Sequence, residues 1–191
     1  NFTVDGKGKY TIDAKKLGGI FNVTAGNTLT LKNLTLINGN ATEAGGAILN
    51  INGEILVYGC KFINNTAEMG GAIGTAGSST IVNSLFENNH AEMGGAIVSV
   101  ESVLNVSGSK FINNSAVAAG GAIVATKEVS ISNSIFDNNA ADHAGAIILS
   151  EGNNFRVSDS NFTNNKADGF GGAIGISNDA QITIEGSTFY G

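Results

Sequence analysis

The chain has no proline, no tryptophan, one cysteine and one arginine among its 191 residues. Each shortage excludes something. Without proline nothing interrupts strand pairing, and the turns fall to the 27 glycines and to asparagine. Cys60 has no partner for an internal disulfide, so cysteine usage does not reveal the redox compartment. Arg156 is the only arginine and the formal net charge is -6, so no basic stripe exists to displace counterions from a nucleic acid. No apolar run reaches the roughly 18 to 20 residues of a membrane span, and no signal peptide is visible. The chain opens on Asn1 rather than methionine, which reads as a mature segment or an excerpt of something longer. Aromatic residues are only 7% of the total, so the core is thin: Ile, Val, Leu, Ala and regularly placed Phe.

What is present is one phrase repeated. Gly-Gly-Ala-Ile begins at Gly45, Gly70, Gly94, Gly120 and Gly171, with an Ala-Gly-Ala-Ile version at Ala144. Between these, Phe-x-Asn-Asn falls at Phe62, Phe86, Phe111, Phe136 and Phe162. Both recur every 24 to 27 residues, a period that means a solenoid whose repeats stack to bury a shared core. No segment holds a helical period over ten residues. Ile55 and Val57 alternate with Leu56 and Tyr58 as a strand does; Lys61-Phe62 begins a second strand, and Met69-Gly70-Gly71 leads into a third through Ile73. Three short strands and three turns make one rung of an all-β, right-handed parallel β-helix, with handedness from the general rule for parallel connections. The expectation is one domain over residues 1–191 with about seven rungs of roughly 25 residues. Residues 1–33 form irregular opening rungs and 34–191 carry the regular repeats.

The positions within a rung are consistent. Three residues before each Phe stands Gly59, Asn83, Gly108, Asn133, Asp159 or Gly186, with Asn33 before Leu36, all residues that tolerate a left-handed bend. Five residues after come Ala41, Ala67, Ala91, Ala116, Ala141 and Ala167, which suggests an inward site with room for a methyl. Stacking at about 4.8 Å turns Phe62 through Phe189 into an aromatic ladder and Asn65, Asn89, Asn114, Asn139 and Asn165 into an amide ladder. If Ile48, Ile73, Ile97, Ile123, Ile147 and Ile174 face inward, the preceding Ala residues face out and make a smooth face; a shift of one residue reverses this. The sequence ends mid-rung at Phe189-Tyr190-Gly191, so further rungs or end-to-end self-association are expected.

Candidate chemistry is sparse. Glu43, Glu68 and Glu92 stand two residues before a Gly-Gly, followed in the same phase by Ala118 and Asp142. Stacked carboxylates repel unless hydrated or bridged, so this column is the candidate metal site, with Ca²⁺ the fitting ion; hydrated side chains at a turn are the plainer reading. Asp137, Asp142, His143 and Asp168 are the local concentration of titratable groups that a carbohydrate-cleaving β-helix would need. Cys60 takes the place of Ser84, Ser109, Ser134, Ser160 and Ser187 and reads as a small turn-flanking residue. Asn1, Asn22, Asn33, Asn40, Asn64, Asn105, Asn113 and Asn161 each open an N-glycosylation acceptor pattern.

Paired in register, these motifs resemble the repeats of two groups of surface β-helix proteins. Chlamydial polymorphic membrane proteins carry Gly-Gly-Ala-(Ile/Leu/Val) and Phe-x-x-Asn. Adhesin-like proteins of methanogenic archaea look closer, through Ile20-Phe21-Asn22-Val23, Leu29-Thr30-Leu31-Lys32-Asn33-Leu34 and Asn38-Gly39-Asn40-Ala41. The resemblance implies an extracellular, cell-surface adhesin-like module without enzymatic activity, binding glycans or proteins of cell surfaces. A carbohydrate-active lyase or hydrolase and a subunit of an extracellular filament or envelope layer are the alternatives.

Overall fold

A computed structural model describes residues 1–151 and 154–191. The rung from Ser78 to Ser99 shows how local sequence sets the path. The strand Ser78–Val82 alternates outward Thr80 with inward Ile81 and ends at Asn83, whose φ of 50° turns the chain. Leu85–Glu87 carries Phe86 inward to a second left-handed turn at Asn88, φ 55°. His90–Met93 buries Ala91, Gly94 bends the chain at φ 62°, and Ile97–Ser99 completes the circuit. The left-handed bend expected three residues before each Phe is present at Asn33, Gly59, Asn83, Gly108, Asn133, Asp159 and Gly186.

Stacking these circuits gives about seven turns of a right-handed parallel β-solenoid, with no helix among the described residues. Sheet I has eight strands, from Phe2–Asp5 to Ile182–Glu185, and sheet II has eight, from Thr11–Asp13 to Thr188–Tyr190. Sheet III has five, from Thr66–Met69 to Lys166–Ala167, and sheet IV has seven, from Phe21–Thr24 to Ile174–Ser177. Sheet III is a departure from the three-stranded rung expected above. The segment after Asn-Asn reads as a turn because it is short and rich in Ala and Glu. Its backbone nonetheless pairs with its neighbours, His90 with Thr66 and Ala91 with Ala67.

A second departure concerns Gly-Gly-Ala-Ile. Ala47, Ala72, Ala96, Ala122 and Ala146 are as fully buried as the Ile residues that follow them. The strands begin only at the Ile, so each Ala lies in the bend, outside strict alternation, and its methyl also turns inward. The outward positions of sheet IV are Leu49, Gly74, Val98, Val124, Ile148 and Gly175 instead.

Two ladders run the length of the core. The rings of Phe62, Phe86, Phe111, Phe136, Phe162 and Phe189 stack 4.7–4.8 Å apart within 8° of parallel. Asn89, Asn114 and Asn139 are buried, and each amide does four things at once. For Asn114, Oδ1 accepts from the Asn89 N–H (3.1 Å) and Nδ2 (2.9 Å), while its own Nδ2 donates to the Phe86 carbonyl (3.0 Å) and Asn139 Oδ1 (3.0 Å). A serine ladder runs beside the first bend: Ser84 Oγ accepts from the Cys60 N–H (3.2 Å) and donates to the Val82 carbonyl (2.9 Å), and Ser109, Ser134, Ser160 and Ser187 repeat the pattern.

Truncating Asn114 to Ala strands the Asn89 amide and the Phe86 carbonyl in a dry turn, at a cost of about 3 kcal/mol. For a domain of this size that lowers Tm by roughly 6–12 °C. Asn105→Ala, at an exposed strand position of sheet I, stays within about 0.5 kcal/mol of the parent. Thermal melts by circular dichroism of both variants read the difference.

Candidate binding surface

Of the four titratable residues singled out in the C-terminal half, Asp142, His143 and Asp168 lie together and Asp137 stands apart. Asp137 lies on sheet II, where Asn164 Nδ2 donates to its Oδ1 at 3.4 Å. Asp142 and Asp168 are neighbours at the sheet III corner, flanking a shallow hollow of about 220 Å³ with Lys166 and Val117. Asp168 pairs with Lys166 at 3.2 Å, and the Asp142 and Asp168 side chains are 57% and 75% exposed. His143 Nε2 sits 3.6 Å from Asp142 Oδ2, while its ring stacks on Phe170 at 4.3 Å. Its Nδ1 is closed in without a hydrogen-bond partner. Gly169 makes room for that ring, since a methyl there would fall on Nδ1. A general acid works at neutral pH when its site is desolvated; these carboxylates stand in water.

The acidic column is in register only in part. Glu68 and Glu92 lie side by side, between the paired Ala67–Ala91 and Met69–Met93. The strand Ser115–Ala119 carries one extra residue, so Val117 rather than Ala118 follows Glu92, and Asp142 and Asp168 then continue the row. Residues 40–44 also carry one extra residue, since Asn40 bridges Thr66 and Ala44 bridges Met69, so Thr42 and Glu43 together face Glu68. All three glutamates are exposed, and among the described residues no group of three His, Cys, Asp or Glu is placed to hold a metal ion. The row acts as a negative edge along sheet III.

Beside that edge the cross-section folds inward. Val98 and Val124 point outward from sheet IV, yet each is only 4% exposed. The reason is the Gly-Gly bend, which brings the end of sheet III across the outer side of sheet IV. A methyl added at Gly94 would lie 2.6 Å from Val98 Cγ2, one at Gly120 2.7 Å from Val124 Cγ2, and one at Gly74 2.8 Å from the Ala44 Cβ. Ala144 adopts the same bend at φ 55°, and its methyl is accepted by Gly175 of the next rung. A hollow of about 320 Å³ opens at the first rungs, between Phe21, Ala41, Ala44 and Leu49, and further along the bend covers both valines from outside. Sequence reasoning missed it because the valines read as strand residues and nothing marks the bend as concave.

The other faces are plainer. Sheet I holds a polar hollow of about 420 Å³ between Glu128, Ser130, Asn154, Arg156, Gln181 and Thr183, with Arg156 Nη1 3.4 Å from Glu185. All eight acceptor-pattern asparagines are exposed, and Asn33 is a left-handed turn residue, φ 49°. Cys60 is 1% exposed with Sγ 3.5 Å from the Tyr58 carbonyl, and burial pushes its thiol above the ordinary range.

Two measurements check these assignments. Calcium at millimolar concentration should leave Tm unmoved, since the column glutamates are exposed and no three acidic side chains converge among the described residues; a rise of several degrees would restore the column as a cation site. Cys60 should resist a neutral disulfide reagent at pH 8 in the folded protein and react at once in guanidinium, because its thiolate is disfavoured and the sulfur shielded.

The sequence profile described as a right handed beta helix region matches residues 18–189. No curated protein and no solved structure matches the chain. The match spans nearly the whole coil just described, and the chain belongs to the right-handed β-helix family.

Proposed function

We propose that this chain is a non-enzymatic, adhesin-like binding module displayed at a cell surface, where it attaches to surface glycans or proteins. Right-handed β-helix regions occur in adhesins, enzymes and other surface proteins, so the family leaves these roles open. The observation that carries the reading is one-sidedness. Among the described residues between Phe21 and Ala167, the exposed large apolar side chains are Ile51, Met69, Met93, Val100 and Val117, and all five stand on the sheet III and IV side. Exposed apolar side chains gathered on one side of these rungs mark a place where something docks. The carboxylates of Asp142 and Asp168, by contrast, are hydrated, and Asp137 stands apart from them. The resemblance to archaeal adhesin-like proteins supports the extracellular setting.

The test is to incubate the purified protein with a panel of polysaccharides and cell envelopes, scoring retention and released oligosaccharides together. Retention with no released product is the expected result. New reducing or unsaturated ends would replace the reading with a carbohydrate-active enzyme centred on Asp142 and Asp168, and no retention on any surface would remove it.

A further inference from the structure

We propose that the corner between sheets I and II binds a linear acidic polysaccharide, laid along the axis of the coil with its carboxylates against a file of lysines. This names a ligand class for the binding role above and rests on it. The net charge of -6 conceals how the cations are placed. Stacking brings residues far apart in sequence to one corner, and this corner collects lysine. Lys32 ends a strand of sheet I one rung below Asp5, and Lys61 and Lys110 each open a strand of sheet II, with Leu85 between them. In the first rung the bend itself is enlarged. Asp5 pairs with Lys32 and Thr11 with Thr35, so Gly6 to Tyr10 stand over the shorter Asn33-Leu34. The excess, Lys7-Gly8-Lys9, loops outward, fastened by the Gly8 N–H to the Asn33 carbonyl at 2.8 Å. Lys7, Lys9, Lys32, Lys61 and Lys110 are all exposed. Lys7 is neutralised by Asp5 at 2.8 Å, and the other four form no ion pair among the described residues. After Asp5 the corner carries no carboxylate until Asp159 and Glu185.

Three features choose the occupant. The first is sign: unpaired cations with no acid among them attract a polyanion. The second is spacing. Rungs lie 4.7 Å apart, so Lys9, Lys32, Lys61 and Lys110 offer at most one free cation per rung, in single file. Duplex DNA carries a phosphate for about every 1.7 Å of its axis and asks for a broad, dense basic surface. A polysaccharide with one carboxylate per sugar is a thin chain of sparse charge, which a single file of lysines matches. The carboxylates of Glu68, Glu92, Asp142 and Asp168 on sheet III repel such a chain and confine it to the lysine corner. The third is a stacking surface. Tyr10, 67% exposed, follows Lys9, and the half-buried Tyr58 is the register partner of Lys32. Their rings give the apolar faces of sugars something to pack on while the hydroxyls stay in water.

The experiment titrates the whole protein into labelled eight-sugar glucuronan (one carboxylate per sugar), its carboxyl-reduced neutral counterpart, and single-stranded DNA of equal charge, read by fluorescence anisotropy. Glucuronan should bind saturably and at least tenfold more tightly than either control. The logarithm of its affinity should fall with that of salt at a slope of roughly -2 to -3, as for three or four lysines on a single-stranded polyanion. Lys32→Glu with Lys61→Glu should weaken binding at least tenfold. Lys127→Glu with Lys166→Glu, the same change of charge away from the corner, should leave it within about twofold, because salt screens distant exposed charges. Circular dichroism melts confirm that each variant is folded; Lys9→Glu with Lys110→Glu replaces the first pair if it is not. Equal loss in the corner pair and the distant pair would overturn the proposal, because net charge alone would then govern. So would equal binding of the neutral sugar, which removes the lysines from the account, or of DNA, which assigns the corner to nucleic acid. No glucuronan binding would overturn it as well. Retention on cell envelopes with no glucuronan binding would remove this proposal and leave the adhesive reading standing, whereas glucuronan binding without envelope retention would do the reverse.

Discussion

Everything in this molecule follows from one repeat distance. Parallel backbones hydrogen-bond only when rungs sit about 4.7 Å apart, and that spacing places each residue directly on its counterpart above and below. The stacked interior therefore favours residues that pack on, or bond to, their own kind, although Ser79 lies between Ile55 and Leu104 and Cys60 heads the serine column. Phenylalanine does so through ring stacking, and the asparagine amide does so because it carries a donor and an acceptor at the right separation. Serine solves the neighbouring bend with its hydroxyl. Isoleucine fills what remains. The outer surface obeys the same spacing with the opposite result for charge: like carboxylates in register repel, and the row on sheet III is broken by Val117 and hydrated throughout.

The ladders explain how so thin a core suffices. A solenoid has no centre, only a line, and each rung buries its apolar face against two neighbours. The Asn ladder ties turns whose backbone groups would otherwise be unpaired in a dry environment, a situation far costlier than a hydrogen bond is stabilising. Such coupling extends along the axis, so a lesson drawn at Asn114 holds at Asn89 and Asn139.

Much of the fold was legible because stacking writes itself into the sequence as identity at a fixed period. Phe62 through Phe189, the second Asn of each pair and the left-handed bends from Asn33 to Gly186 could all be placed from spacing and residue type alone. The failures share a physical cause. The methyls of Ala47 and its equivalents face inward because a bend suspends alternation, and alternation was the only rule available for them. Sheet III was invisible because its residues, Thr66-Ala67-Glu68-Met69 for one, have low strand propensity; neighbouring rungs impose the pairing. The one-residue bulge at Ser115–Ala119 displaces Ala118 from the acidic row, and only register reveals it. The burial of the outward Val98 and Val124 was beyond reach for the same reason: it is a property of the angle between two sheets, not of any residue in them.

A regular array has a further consequence for function. The ladders make the Phe, Asn and Ser positions equivalent from rung to rung, so distinct chemistry enters where a rung departs from the pattern at the surface. The departures here are of two kinds. Some are isolated, such as His143 in a column that elsewhere holds Met69, Met93 and Ala119, and Arg156 among Asn105, Ser130 and Thr183. Others are collective. Exchanging polar for apolar residues at Ile51, Met69, Met93, Val100 and Val117 costs the fold nothing internally, since none of them is part of a ladder, yet together they change what one whole side of the rod presents. On a scaffold held together by internal ladders, an exposed apolar strip is the feature that most needs a partner to account for it.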